Sequence, residues 1–285
     1  MASSRVLRVA GGALACGAVV LVGACGSSSS GSSSSSSTAA SSTATGSGSA
    51  SVSASTPPVA WSYSGANGPT SWGSLDSAYA LCQVGTAQSP INIETATAVS
   101  SPTLASPTVK YAEVTSEVEN NGHSIEAVPS TDNNAITVAG QSFALKNVHF
   151  HAPSEHTIDG KSFPLELHFV NKTPTGSGAV IGVLVTEGAQ NEAWQPFIDA
   201  MNKTTKDQPS EADLPWQSMA PSNFTAFNYA GSLTTPPCSQ PINWWVDSVP
   251  ITMSAQQIQA FTNQYTNNNR PVQPLDGRVV VSSGN

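Results

Sequence analysis

Basic residues are scarce in this 285-residue chain, in which 10 Lys and Arg face 18 Asp and Glu. Two of the basic residues, Arg5 and Arg8, lie in the first eight positions. The rest of the chain therefore carries a net charge of about −10 with His neutral. A nucleic-acid-binding protein needs a basic patch to meet the phosphates. The composition therefore excludes nucleic acid as a partner.

The sequence also lacks a hydrophobic run of membrane-spanning length. The uncharged run from Val9 to Cys25 is shorter than the ~20 residues that a spanning helix needs, and Arg5 and Arg8 precede it, which is typical of a signal peptide. The run ends in Leu-Val-Gly-Ala-Cys, which resembles a bacterial lipobox, where the peptide is cut before the cysteine and the thiol carries lipid. We predict a signal peptide over residues 1–24 and a lipid anchor at Cys25. The alternative is an ordinary secretory signal with a chance cysteine.

Charge is absent from residues 26–56, which are all Gly, Ser, Thr or Ala except Val52. Such a tract cannot bury enough apolar surface to fold, so residues 25–60 are predicted to be the anchor cysteine and a flexible linker, about 30 Å from end to end. This predicts a domain, residues 61–285, tethered to the outer face of the bacterial cytoplasmic membrane. Without lipidation the protein would be secreted or periplasmic.

Cysteine is scarce as well. After the signal region only Cys82 and Cys238 remain, and an even pair in an exported protein favours a disulfide. Two buried free thiols are the alternative.

Strand patterns dominate residues 61–285. The apolar run Ala179–Val185 predicts a central strand buried on both faces, and Trp244 to Val246 form another strand candidate. Period-two alternation predicts one strand face shared by His123, Ile125 and Ala127, and another shared by Phe143, Leu145, Asn147, His149 and His151.

Predicted helices are few. A short one is predicted over Leu75–Leu81, and another over Ala193–Met201, where Pro196 leaves the start open. A third follows Ser254, which forms a capping-box pattern with Gln257.

The five histidines all lie between positions 123 and 168. On a strand, His149 and His151 point to one face, about 6.6–6.8 Å apart. Asp159-Gly160 is a two-residue hairpin signal, and a plain hairpin there would place His151 directly across from His168. Three imidazoles with an open fourth position are typical of a catalytic zinc ion. The alternative is that they are polar positions on a half-buried strand.

Glu166 lies two residues before His168 on the same predicted face. A carboxylate there can orient the second ring nitrogen of a metal ligand. A solvated strand glutamate is the alternative.

Five motifs, in order along residues 61–285, resemble those of the α-class carbonic anhydrases. They are Gln88 to Ile93, Asn120 to Ser124, His149 to Val170, Tyr229 to Cys238, and Asn269 to Leu275. The resemblance implies a mixed α/β, β-dominated single domain around a large, mostly antiparallel twisted sheet with a few short peripheral helices. It implies reversible hydration of carbon dioxide to bicarbonate and a proton, by attack of zinc-bound hydroxide.

The resemblance also implies residue roles. His149, His151 and His168 would bind one Zn²⁺, Thr234 and Glu155 would aim the nucleophile, and His123 would shuttle the proton. Further matches are Thr235 near bicarbonate, Tyr63 in the solvent network, a Cys82–Cys238 disulfide, and an apolar wall for carbon dioxide made of Val170, Val180, Leu233 and Trp244.

The sequence departs from the family at two positions. Asn147 stands where a glutamine commonly orients the first zinc ligand, and Asn171 replaces a histidine that is not a ligand.

Two rival functions are a catalytically weak carbonic-anhydrase-like binding or adhesion domain and a zinc esterase. Inactive relatives characteristically lack a zinc-binding histidine, whereas all three are present here. The sequence leaves the oligomeric state open between a monomer and a homodimer.

Overall fold

The computed structural model describes residues 59–221 and 224–283. The predicted signal peptide, Cys25 and the linker as far as residue 58 lie outside the described residues. Short strands make up most of the described elements: β1 (Asn92–Ile93), β2 (Val99–Ser101), β3 (Thr108–Lys110), β4 (Val114–Asn120), β5 (Ile125–Pro129), β6 (Ala135–Val138), β7 (Gln141–His151), β8 (Thr157–Ile158), β9 (Leu165–Lys172), β10 (Gly178–Glu187), β11 (Ser210–Leu214), β12 (Ala226–Gly231), β13 (Ile242–Asp247), β14 (Ile251–Met253) and β15 (Val281–Ser283).

Thirteen of these strands form one mixed sheet, with the main order β11-β4-β5-β7-β9-β10-β13-β12-β15-β2. Most neighbouring strands are antiparallel, and β10 pairs in parallel with β13 and β14, as β15 does with β2. The strands β1 and β8 form a separate parallel pair. The predicted fold class is therefore confirmed.

Two apolar layers cover the sheet. One contains Trp194 and Phe197 beside Phe261, and the other contains Trp244 beside Ile91. The predicted central strand is confirmed, because β10 is buried from Gly178 to Val185. Each large apolar side chain that is fully buried here contributes about 1.5–3 kcal/mol of transfer free energy, so these layers stabilise the sheet.

The helices are short: α1 (Trp72–Leu75), α2 (Leu81–Val84), α3 (Gln195–Met201), α4 (Trp216–Met219) and α5 (Ala255–Gln264). The capping box is confirmed, because the Ser254 side chain accepts the Gln257 N–H while the Gln257 side chain accepts the Ser254 N–H. A 3₁₀ turn precedes α3, and Pro196 lies in its first turn, where a missing N–H costs nothing. No helix of the described residues is long and apolar enough to cross a membrane.

The single helix predicted over Leu75–Leu81 is wrong. Asp76 is extended, at φ −149° and ψ 144°, and its carboxylate accepts the Ala78 N–H at 2.9 Å. A 3₁₀ turn over Ser77–Tyr79 therefore starts afresh between α1 and α2. Aspartate competes for backbone N–H groups in this way at helix starts, which an apolar pattern does not reveal.

A β-bulge changes the predicted face of β7. The register with β9 shifts between Leu145 and Asn147, so Lys146 is an extra residue in the strand. Phe143 and Leu145 therefore share the core face with Val148 and Phe150. The prediction that they share a face with the histidines is wrong, because one inserted residue reverses the alternation.

The predicted hairpin is right at its tip and wrong in its register. Asp159 and Gly160 have positive φ, and Ile158 and Lys161 exchange backbone hydrogen bonds across them. However, His149 lies opposite His168, and His151 lies opposite Glu166.

The register differs because the first arm of the hairpin, from His151 to Ile158, is two residues longer than the second arm, from Lys161 to Glu166. Glu155 and His156 turn inward and donate their N–H groups to Glu166 at 2.9 and 2.7 Å. Two residues of the first arm are thereby taken out of the ladder, which moves the register by two.

Candidate metal centre and active-site pocket

Three histidine rings converge at the centre of the sheet. His149 and His151 project from β7, and His168 projects from the adjacent β9. One nitrogen from each ring lies within 4.8 Å of the others. His151 and His168 are each 1% exposed, whereas His149 is half-buried. The two-residue spacing and the strand pairing therefore bring together the three residues predicted as ligands.

The second nitrogen of each ring is held by a separate partner. His149 Nδ1 lies 2.9 Å from Asn147 Oδ1, His151 Nδ1 lies 2.6 Å from the Asn268 carbonyl, and His168 Nε2 lies 2.9 Å from Glu166 Oε1. Each oxygen can accept a ring N–H, which leaves the other nitrogen of the ring with a lone pair. The free nitrogens are Nε2 of His149, Nε2 of His151 and Nδ1 of His168.

Two further observations indicate that the three rings suit a zinc ion. Burial is the main cause that lowers the pKa of all three histidines, of His151 to about 3, and neutral imidazole is the form that binds metal. His151 Nε2 is buried without a hydrogen-bond partner, which is costly unless something binds it. Three imidazole nitrogens with an open side are the donor set of a catalytic zinc site.

A second cluster of possible metal ligands is already accounted for by hydrogen bonds. His156, Glu166 and His168 also lie within metal-binding distance of one another. Glu166 Oε1 accepts from His156 Nδ1 at 2.7 Å and from His168 Nε2, while Oε2 accepts two backbone N–H groups. Burial raises the pKa of Glu166, but His156 and His168 outweigh it and hold the pKa well below its usual range. Glu166 is therefore an ionised hydrogen-bond acceptor.

Glu155 lies beside the three rings and is 1% exposed. Its Oε1 accepts the Arg270 N–H at 2.7 Å, and its Oε2 lies 3.5 Å from His151 Nε2. Burial raises the pKa of Glu155 well above its usual range, partly opposed by the Arg270 N–H and by the Thr234 hydroxyl. The contact from Thr234 does not reach ordinary hydrogen-bond geometry, because Oε2 has no hydrogen-bond partner.

A cavity of about 210 Å³ opens beside the rings. Among the predicted site residues, its lining includes Tyr63, His123, Asn147, His149, His151, Val170, Leu233 and Thr235. A larger cavity, of about 640 Å³, is lined without any titratable side chain and without the three histidines. The smaller cavity is therefore the candidate active site.

Apolar residues form one wall beside the smaller cavity. Val170, Val180 and Trp244 are cross-strand partners in a row over β9, β10 and β13. They belong to one buried layer, against which the predicted residue Leu233 packs. All four predicted wall residues are thus brought together.

His123 is a half-buried residue on the cavity lining, in the turn before β5. Its ring stacks on Trp61 with centroids 3.6 Å apart. Burial lowers its pKa, and Lys206 lowers it further. The predicted face shared with Ile125 and Ala127 is wrong, because those two side chains are buried in the core layer while His123 precedes the strand.

Comparison with known proteins adds an independent finding. The family model for eukaryotic-type carbonic anhydrase matches residues 67–284. The carbonic anhydrase of Pectobacterium atrosepticum is 39% identical over 228 residues, which cover 78% of this chain and 91% of that protein. The chain belongs to the carbonic anhydrase family.

Solved structures agree with this membership. The α-carbonic anhydrase from Thermovibrio ammonificans, in complex with the inhibitor sulfanilamide, matches with a TM-score of 0.74 at 39% identity, over 78% of this chain and 98% of that chain. Dioscorin complexed with ascorbate matches with the same TM-score at 27% identity, over 79% of this chain and 98% of that chain. Curated carbonic anhydrases at 36–40% identity over most of the chain identify this family member as an enzyme of that kind.

The predicted disulfide of this carbonic anhydrase is confirmed. Cys82 and Cys238 are bonded, with Cα atoms 5.0 Å apart. The Cys238 N–H donates to the Thr235 carbonyl, so the bond lies next to the segment that carries Thr234. It joins that segment to α2 near the N-terminal end of the domain.

Two residues depart from the family pattern in different surroundings. Asn147 hydrogen-bonds His149 although it is one methylene shorter than glutamine. Asn171 points away from the pocket, where it accepts from the Tyr111 hydroxyl at 2.9 Å in the core. The prediction that Asn171 is not a ligand is consistent with this position.

Several residues at the site have a role that the sequence did not predict. The Asn268 carbonyl holds His151, Arg270 holds Glu155 through its backbone N–H, and Trp61 stacks on His123. The first two act through backbone atoms, which leave no mark on residue type. Trp61 could be predicted only weakly, because an aromatic residue near the start of a domain is as typical of the hydrophobic core as of a functional site. Glu126 also lines the cavity.

Proposed function

We propose that this enzyme catalyses the zinc-dependent reversible hydration of carbon dioxide to bicarbonate and a proton. His149, His151 and His168 would hold the ion. One observation carries the proposal. The three imidazole rings converge, and a hydrogen bond holds one nitrogen of each ring, which leaves the other nitrogen free to bind the ion. Zinc bound there lowers the pKa of a water ligand to about 7 and so supplies a nucleophile at neutral pH, an effect for which carbonic anhydrase is the standard example.

Glu155 and Thr234 would orient the nucleophile. The Arg270 N–H occupies Glu155 Oε1, which leaves Oε2 to accept the proton of the Thr234 hydroxyl. Thr234 then has only lone pairs to offer, so it accepts a hydrogen bond from the nucleophile and turns a nucleophile lone pair toward the substrate. This arrangement requires an ionised Glu155, which the Arg270 N–H and the Thr234 hydroxyl favour against the effect of burial on its pKa.

The apolar wall would hold carbon dioxide. Val170, Val180, Leu233 and Trp244 offer no hydrogen bond to an apolar substrate and keep water from its carbon atom. Thr235, on the cavity lining, would meet the oxygens of bicarbonate as they form. Tyr63 would belong to the solvent network between the rings and His123.

His123 would carry the proton out of the pocket. It is the histidine on the cavity lining that does not belong to the proposed zinc site, and imidazole titrates near neutral pH. Stacking on Trp61 holds its ring in place, and its partial exposure would let it exchange protons with buffer.

Zinc analysis combined with a carbon dioxide hydration assay tests the proposal. The wild-type protein should contain one zinc per chain and hydrate carbon dioxide, and His168→Ala should lose both. His123→Ala is the matched control, since it removes a pocket histidine but should keep its zinc. A wild-type protein without zinc, or no faster than His168→Ala, would refute the enzyme function and favour a binding domain.

We also propose that the enzyme is a lipoprotein outside the cytoplasmic membrane, anchored through Cys25. The lipobox-like sequence supports this, and a disulfide such as Cys82–Cys238 is typical of an oxidising compartment. Mass spectrometry of the mature N-terminus decides the point. A lipid-modified Cys25 at the terminus is expected, and an unmodified terminus beyond residue 25 would refute the anchor.

A further inference from the structure

Glu126 is a carboxylate beside the candidate metal centre that the mechanism does not use. It lies on β5 and is the cross-strand partner of His149 on β7. Its side chain lines the same cavity as His149 and His151. Partners in an antiparallel ladder have Cα atoms about 4.5–5.5 Å apart, so the carboxylate lies close to the first ring.

No salt bridge neutralises Glu126 within the described ranges 59–221 and 224–283. Its side chain accepts one hydrogen bond, from the Asn121 amide at 3.1 Å. On its other side, its cross-strand partner on β4 is Glu119, a second carboxylate. Burial raises the pKa of Glu126, the Asn121 amide partly opposes this, and Glu119 raises the pKa further, as expected for a carboxylate without a cationic partner.

One cation, Lys172, also lines the cavity. Its backbone lies four residues beyond His168 on β9, which is about 13 Å along the strand, whereas Glu126 is the cross-strand partner of His149 itself. By backbone position, the charge nearest to the rings on this side of the cavity is therefore negative.

We propose that Glu126 is a specificity-determining residue that weakens the binding of anions, including bicarbonate, at the metal centre. The inference rests on the proposed function. Carbon dioxide has no charge, so its entry is not opposed, whereas bound bicarbonate is repelled by the carboxylate and leaves more readily. At a separation of roughly 8 Å and an intermediate effective dielectric constant, this repulsion changes anion affinity about threefold to tenfold.

The test compares anion affinity in the full-length zinc-loaded protein and its variants. Glu126→Gln removes the charge and keeps the shape, and Glu126→Asp keeps the charge. Glu117→Gln is the matched control, because Glu117 lies on the neighbouring strand β4 with its side chain exposed and outside the cavity. Nitrate and bicarbonate are used as inhibitors of hydration at about pH 8.5, where the carboxyl is ionised. The line width of ³⁵Cl in NMR reports chloride binding independently of activity.

Glu126→Gln is expected to bind nitrate, bicarbonate and chloride about threefold to tenfold more tightly than wild type. Glu126→Asp and Glu117→Gln should stay near wild type, and added inert salt should shrink the difference. Equal anion affinity in Glu126→Gln and wild type, or an equal shift in Glu117→Gln, would overturn the inference while leaving the proposed function intact. A wild type without zinc and without hydration would overturn both.

Discussion

Replacing Glu166 with glutamine should damage the metal centre without removing a ligand. Glu166 Oε2 accepts two backbone N–H groups, from Glu155 and His156. The amide oxygen of Gln must take that place, because an NH₂ group there would face two donors. The NH₂ group then occupies the place of Oε1, where it points at His156 Nδ1 and His168 Nε2.

The consequence falls on the tautomer of His168. With a donor opposite it, His168 Nε2 must become an acceptor, so the ring proton moves to Nδ1. Nδ1 is the nitrogen that the proposed zinc site uses, and a protonated nitrogen does not bind metal. Keeping Nδ1 free would instead set two buried donors against each other, at a cost of about 1–3 kcal/mol. Either way, zinc affinity should fall about 10- to 100-fold, as is usual when the partner of a ligand is lost.

Competition with a chelator at equilibrium measures this change directly. Asp247→Asn is the matched control, because it also turns a buried carboxyl into an amide but lies at the end of β13, outside the cavity lining. The control should hold zinc as wild type does. Wild-type zinc affinity in Glu166→Gln would refute the tautomer argument.

Three more predictions concern His123, Thr234 and Asp247. His123→Ala should lose about tenfold or more of its turnover in dilute buffer and regain part of it with imidazole; an unchanged rate would exclude the shuttle role. Thr234→Ala should keep its zinc and lose about 100-fold in kcat/KM, and a loss below twofold would contradict its orienting role. Burial raises the pKa of Asp247 to about 6 from 3.8, so its contribution to folding stability falls as pH rises through that window. Urea unfolding should therefore show Asp247→Asn to be more stable than wild type at pH 7.5, by about 1 kcal/mol after allowance for partial solvation, with little difference near pH 4; no gain at pH 7.5 would contradict this.

The sequence predicted which elements carry the site better than how they are aligned. Spacing alone placed His149 and His151 on one strand, and Asp159-Gly160 correctly marked the hairpin tip. The register failed because Glu155 and His156 leave the ladder to bind Glu166, a long-range polar contact that no local pattern encodes. Alternation and turn chemistry describe the backbone locally, whereas buried polar groups choose their partners across the fold.

The roles of backbone atoms were out of reach for a different reason. The Asn268 carbonyl and the Arg270 N–H each hold a side chain of the site. However, any residue type supplies a backbone carbonyl, and any except proline supplies a backbone N–H. The motif around Arg270 did mark the right segment. The chemistry of that segment lies in where the chain runs, and this is settled by the guanidinium of Arg270, which donates to the Cys82 and Ser89 carbonyls and to Gln88.

The extra residue in β7 divides the strand into two stretches with opposite numbering of their faces. Before it, odd-numbered residues such as Leu145 face the core, and after it, even-numbered residues such as Val148 do. Deleting Lys146 would bring Leu145 next to Asn147 and restore a regular ladder without turning either stretch, so His149 and His151 would stay on the cavity side. Variants of this enzyme should therefore tolerate many residue types at position 146, and a one-residue gap there as well.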